Sequence, residues 1–210
     1  MSNLINARYL LGEHSLKAQI ADHLALTISD DFPDATAEVV VVIASAKDGI
    51  SQKLVNDWTS FRERYVPTIV LILDFESGEV DFEDMSAIVG KMLEPVVTPY
   101  LVLHADNGDP TALINLENLK ITNYSNNQIM QQDSDPEHQE LVADFADELK
   151  VALQEGGWEQ FVQGLIVTAI PVVVENKLGL ASVLSLRWYL CCRAVLEILS
   201  SELFSLLQNF

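Results

Sequence analysis

The chain has 210 residues, the size of one domain with a full core or one domain with an appendage. Lys and Arg total 12 against 31 Asp and Glu, a net charge of −19, yet 49% of the residues are hydrophobic and the mean hydropathy is +0.19. That excludes a disordered acidic tail, and it argues against a nucleic-acid binder or a guest of anionic membranes, both of which need clustered cations.

The segment 8–23 reads as a short lead-in and an amphipathic helix, with Leu10, Leu11, Leu16, Ile20 and Leu24 near helical spacing. Residues 24–28 read as a strand closed by the acidic turn 29–34. The run 39–43, Val-Val-Val-Val-Ile, is uninterrupted and β-branched, the pattern of a strand buried on both faces of a parallel sheet. A helix is expected over 51–64 with Ser51 as N-cap, then a second buried strand over 67–73. The stripe Phe82, Met85, Ile88, Val89 and Met92 marks a helix over 81–93. Residues 100–103 read as a third buried strand before the Asn107-Gly108-Asp109-Pro110 turn. A small hairpin is expected from 112–114 and 120–124, a polar, mobile loop over 126–135, and one helix over 137–154 ended by Gly156-Gly157. A last strand over 166–174 and a helical segment over 180–210 complete the chain. Strands alternating with helices of about a dozen residues imply α/β architecture: a mostly parallel sheet between two helical layers, with an extra C-terminal helix or helices.

The start of the chain carries no basic segment followed by an apolar run, so no leader is visible and a cytoplasmic setting is expected. Cys191 and Cys192 are adjacent, bridge only with strain, and read as small buried hydrophobes. Arg187, Arg193, Glu197 and Glu202 interrupt the C-terminal apolar segment, which argues against a membrane span. That segment either covers the sheet or pairs two copies of the chain into a homodimer.

None of the nine glycines has another five positions on, so there is no phosphate-binding loop, and neither G-x-G-x-x-G nor G-x-S-x-G occurs. The four histidines have no metal-ligand spacing. Three smaller groups remain. Asp30, Asp31 and Asp34 read as a solvated capping turn, with a Mg²⁺ site as the alternative. His104 with Asp106 and Asp109 reads as an exposed loop group, with acid–base chemistry as the alternative. Glu76, Glu79, Asp81, Glu83 and Asp84 read as a solvated acidic face at a helix N-terminus. No catalytic, cofactor-binding or metal-binding residue is assigned.

Several stretches nonetheless carry a family pattern. Val40-Val-Val-Ile-Ala-Ser-Ala-Lys-Asp-Gly-Ile50, Arg62-Glu-Arg-Tyr-Val-Pro-Thr-Ile-Val-Leu71, Val80-Asp-Phe82 and the stretch 94–124 follow one another in an order that resembles the G domain of translational GTPases of the elongation factor G type. The resemblance spans about residues 24–186 and implies a single degenerate GTPase-like domain, 1–210, with a family insert at about 94–125 and the helical segment at 180–210. It also implies where the machinery is missing. Leu10-Leu-Gly-Glu-His-Ser-Leu16 stands at the phosphate loop without its second glycine or its lysine. Both switch segments are cut out, and D-x-x-G becomes Asp30-Asp-Phe-Pro33 or, with one residue lost, Asp31-Phe-Pro-Asp34, without the glycine either way. The guanine-reading N-K-x-D falls on Leu73-Asp-Phe-Glu76, and the final Ser-Ala contact on Glu175-Asn176. A triphosphate's charge then finds neither lysine nor amide nest. The expected function is a non-catalytic interaction or regulatory module without cofactor, its partner a basic protein met through the acidic surface. A weak nucleotide or small-ligand binder using the carboxyl ends of the strands is the alternative.

Overall fold

A computed structural model describes residues 7–77, 79–124 and 129–186. Its centre is a six-stranded sheet in the order β2 (Thr27–Ile28), β1 (Arg8–Leu11), β3 (Val39–Ser45), β4 (Thr68–Leu73), β10 (Val167–Pro171), β5 (Val96–Val97). Every pairing in it is parallel. The β-branched runs explain why: every residue of β3 and of β4 is buried, and alternate side chains feed opposite faces. Val40, Val42 and Ala44 pack under α2 (Gln52–Arg62) and α3 (Phe82–Met92), through Trp58, Phe61, Phe82 and Met85. Val39, Val41 and Ile43 pack under α1 (Lys17–Leu24) and α6 (Glu159–Val162), together with helical residues Leu180, Val183 and Leu186. The result is helices on both faces of a parallel sheet, three layers as expected.

A second, antiparallel sheet joins β6 (Tyr100–His104), β7 (Pro110–Asn115), β8 (Lys120–Asn123) and β9 (Met130–Asp133) in sequence order. It packs against α5 (Ala143–Leu153), which follows α4 (Pro136–Leu141), around Leu101, Ile114, Ile121, Val142, Ala146 and Leu149.

Four expectations are corrected. Arg8–Leu11 is a strand, so Leu10 and Leu11 do not belong to the amphipathic helix with Leu16 and Ile20, because Gly12 takes φ +104° and stops any helix from running through it. Residues 100–103 do not enter the parallel sheet. The tight turn at 105–109 folds them onto β7, with Leu101 opposite Ile114. The loop at 126–135 holds a strand, β9, paired along its length with β8. The helix at 137–154 is two helices, since Val142 leaves helical geometry (φ −101°, ψ 6°) and buries its side chain in the second core.

The helical face at 180–186 covers the sheet. The expectations for Cys191, Cys192 and a homodimer through the rest of the C-terminal segment lie outside the described residues. Among the described residues no helix is long and apolar enough to cross a membrane. One topological feature positions the site. From β1 the chain crosses to β2 on one side and then to β3 on the other, so the winding reverses between β1 and β3. In open parallel sheets the crevice outside the carboxyl ends at such a reversal is where ligands bind.

Candidate functional site at the carboxyl edge of the sheet

β1 runs into Gly12, where an added Cβ would meet Ile43 Cβ and O at 3.0 Å and Ile43 N at 3.2 Å. Only glycine lets the loop lie this close over β3. The loop then turns its own side chain into the crevice. His14, 5% exposed, brings Nε2 to 3.2 and 3.1 Å from the two carboxylate oxygens of Asp74. Its Nδ1 accepts the Leu16 N–H at 3.1 Å, which leaves Nε2 as the donor to Asp74. Asp74 is the first residue after β4 and sits at φ +63°, a left-handed conformation that Asp tolerates better than most residues. Its second donor is the hydroxyl of buried Ser45, the last residue of β3. Ser45 Oγ in turn accepts the N–H groups of Lys47 and Asp48 at 3.2 and 2.9 Å.

These three side chains, from the ends of β1, β3 and β4, form a closed polar bolt. It is not a nucleophilic triad. The serine hydroxyl points to the carboxylate rather than to an imidazole that would take its proton, and its lone pairs already hold two backbone amides. One of the first amides of α1 is likewise taken by His14 rather than left for an anion.

Beyond the bolt the crevice is acidic. Glu76 lies in the short 3₁₀ turn after β4. Burial pushes its carboxyl above the ordinary range, and the charges of Asp74 and Glu175 add to that while His14 opposes it. Asn176 is used structurally: its Nδ2 donates to Pro110 O at 3.3 Å and its Oδ1 accepts the Leu178 N–H at 3.0 Å.

The structure does not gather the acidic turn into a cation site. Asp30 lies 3.6 Å from Lys17, Asp31 2.7 Å from Lys53, and Asp34 accepts from the hydroxyl and amide of Thr36, which hold its carboxyl below the ordinary range. Among the described residues no group of three or more His, Cys, Asp or Glu is arranged to hold a metal ion. Phe32 pins the turn by stacking on Phe61 at 4.1 Å between ring centres. A cleft of about 270 Å³ opens between this turn and the Gly12 loop, beside Lys17 and Lys53. Both ammonium groups already face carboxylates there, Lys53 bridging Asp31 and Asp57.

His104, Asp106 and Asp109 do not converge with that turn. His104 is exposed at the bulged end of β6, and Asp109 accepts from Asn107 at 2.7 Å. Asn176 ties Pro110, beside them, to the β10 side of the sheet. From β2 to β10 is four strand spacings, roughly 19 Å. In the acidic segment 76–84, Asp81 caps α3 by accepting the Asp84 N–H at 2.7 Å, and burial raises the carboxyl of Glu83. Sequence reasoning does not reach the bolt. Its trace in the sequence is that Ser45 and Asp74 are the first polar residues after two wholly apolar runs.

Comparison with family models finds no match, and comparison with curated proteins finds none. Among solved structures, the crystal structure of ttk003000868 from Thermus thermophilus is similar with a TM-score of 0.61 over 73% of this chain, at 21% identity. The chain covers 26% of that protein's length. At this identity the likeness concerns the fold.

Proposed function

We propose that this chain is a non-catalytic module built on a degenerate G domain of the elongation factor G type. The bolt carries the reading. The segments that the resemblance assigns to the phosphate loop and the guanine-reading motif meet each other directly, as His14 and Asp74, where a nucleotide would have to lie between them. The other two implied contact segments, 30–33 and 175–176, leave the same edge of the sheet, since β2, β1, β4 and β10 all run parallel. A triphosphate entering here would displace a satisfied set of hydrogen bonds and face Asp74, Glu76 and Glu175. Each charged contact left unpaired costs about 1.5–3 kcal/mol. The surface that remains is strongly anionic, which suits a basic protein partner and repels nucleic acid.

Thermal unfolding with millimolar Mg²⁺ and either GTP or ATP tests this directly. The expected result is the same melting temperature in both and in buffer alone. A rise of several degrees with GTP and not with ATP overturns the reading.

A further inference from the structure

A groove of about 300 Å³ lies between α3 and α5, away from the carboxyl-edge crevice. Ser86, Ala87 and Gly90 of α3 give it a floor of short side chains, and an added Cβ at Gly90 would touch only Pro95 Cα at 3.8 Å. Leu101 and Phe145, the latter 41% exposed, supply an apolar wall. Two carboxylates, Glu83 and Glu148, also line it. Glu83 is half-buried, and burial, reinforced by the charges of Asp81 and Asp84, raises its carboxyl. Among the described residues neither Glu83 nor Glu148 has an ion pair, and nearby Lys150 is engaged with Asp147 at 2.8 Å.

We propose that this groove docks a peptide segment of a protein partner that carries one Arg or Lys among apolar residues. The aliphatic stem lies over Phe145 and Leu101, and the cationic head reaches Glu83 and Glu148. The charge decides the occupant. A purely apolar guest would desolvate two carboxylates and give them no counter-ion. A second copy of this chain would bring another net −19 against the same acidic rim, which Asp144 and Asp147 extend along α5. Stem burial with a paired head is how long cationic side chains cover apolar surface. The proposal deepens the interaction-module reading and rests on it.

The test titrates the full chain, without nucleotide, against a fluorescent synthetic peptide with one Arg flanked by Leu and Ala, and against twins with norleucine or Glu in place of the Arg. Saturable binding of the Arg peptide alone is expected, weakened about tenfold in Glu83→Gln and in Glu148→Gln. Amide shifts on the labelled chain should be confined to α3, β5, β6 and α5. Glu148 is exposed on α5, so its variant gives a second readout independent of Glu83. Absent binding, equal binding of the norleucine twin, unchanged affinity in Glu148→Gln, shifts elsewhere, or self-association that occupies the groove each overturns the proposal. A GTP-specific thermal shift sinks the non-catalytic reading and leaves the peptide result standing. Failure of the Arg peptide with no such shift sinks the groove alone.

Discussion

Asp74 is the acceptor on which the carboxyl-edge crevice depends. Its carboxylate takes both the Ser45 hydroxyl and the His14 Nε2–H, and the two donors are 1% and 5% exposed. Removing it strands two buried side-chain donors at once, whereas removing His14 frees the Leu16 amide and removing Ser45 frees those of Lys47 and Asp48. Asp74→Ala is therefore expected to lose about 3 kcal/mol of unfolding free energy, seen as a lower urea midpoint at unchanged slope. Asp74→Asn keeps one acceptor oxygen and tolerates φ +63°, so it should lose about half as much. Equal midpoints for wild type and Asp74→Ala would mean the bolt holds nothing. Gly12 gives a second handle on the same loop. Gly12→Ala combines φ +104° with a Cβ 3.0 Å from the Ile43 carbonyl and side chain, so a loss of about 2–3 kcal/mol is expected even though the substitution adds one methyl group.

Packing of the 29–34 turn onto α2 is the element-scale counterpart. Phe32 stacks on Phe61 and meets Trp58 edge-on at 6.1 Å, while Arg64 donates to the Pro33 carbonyl. Phe32→Ala should cost about 2 kcal/mol and, more tellingly, open residues 29–36 to limited proteolysis while the urea slope stays constant. Unchanged proteolysis would show that the hydrogen bonds alone hold the turn. What is legible in the sequence follows the same division by element. β3 and β4 can be read because burial on both faces leaves continuous β-branched runs. Residues 100–103 show the same apolar run but belong to the antiparallel sheet, since a short apolar segment does not record the direction of its neighbour; the turn at 107–110 does. β1 escapes a sequence reading because four residues carry no measurable period. The bolt joins His14 to Asp74 across 60 positions, and no local pattern reports such a contact.

At the scale of the whole molecule, charge governs stability. Folding gathers 31 acidic side chains against 12 basic ones, and self-repulsion at neutral pH opposes the compact state. Four carboxylates act on this with opposite signs. Glu76 and Glu83 are raised above 4.5 by burial, so the folded chain takes up protons before the unfolded chain does. Their effect is a penalty at neutral pH that is relieved as pH falls through the folded values. Asp34 and Asp135 are lowered below 3.8, Asp34 first by the Thr36 hydroxyl and Asp135 first by the His138 amide. Their contribution is present above 3.8 and is lost only as pH falls through the folded values. The two signs place the stability maximum on the acid side of neutral. The melting temperature should rise as the pH falls from neutral toward the folded values of Glu76 and Glu83, and fall again below about 4. Added salt should raise it at neutral pH and much less near the maximum. The Glu76→Gln, Glu83→Gln pair should be more stable than wild type at neutral pH and show a flatter rise on acidification. A melting temperature that falls steadily on mild acidification from neutral pH would overturn this account, because the lowered carboxylates do not titrate until the pH is below 3.8.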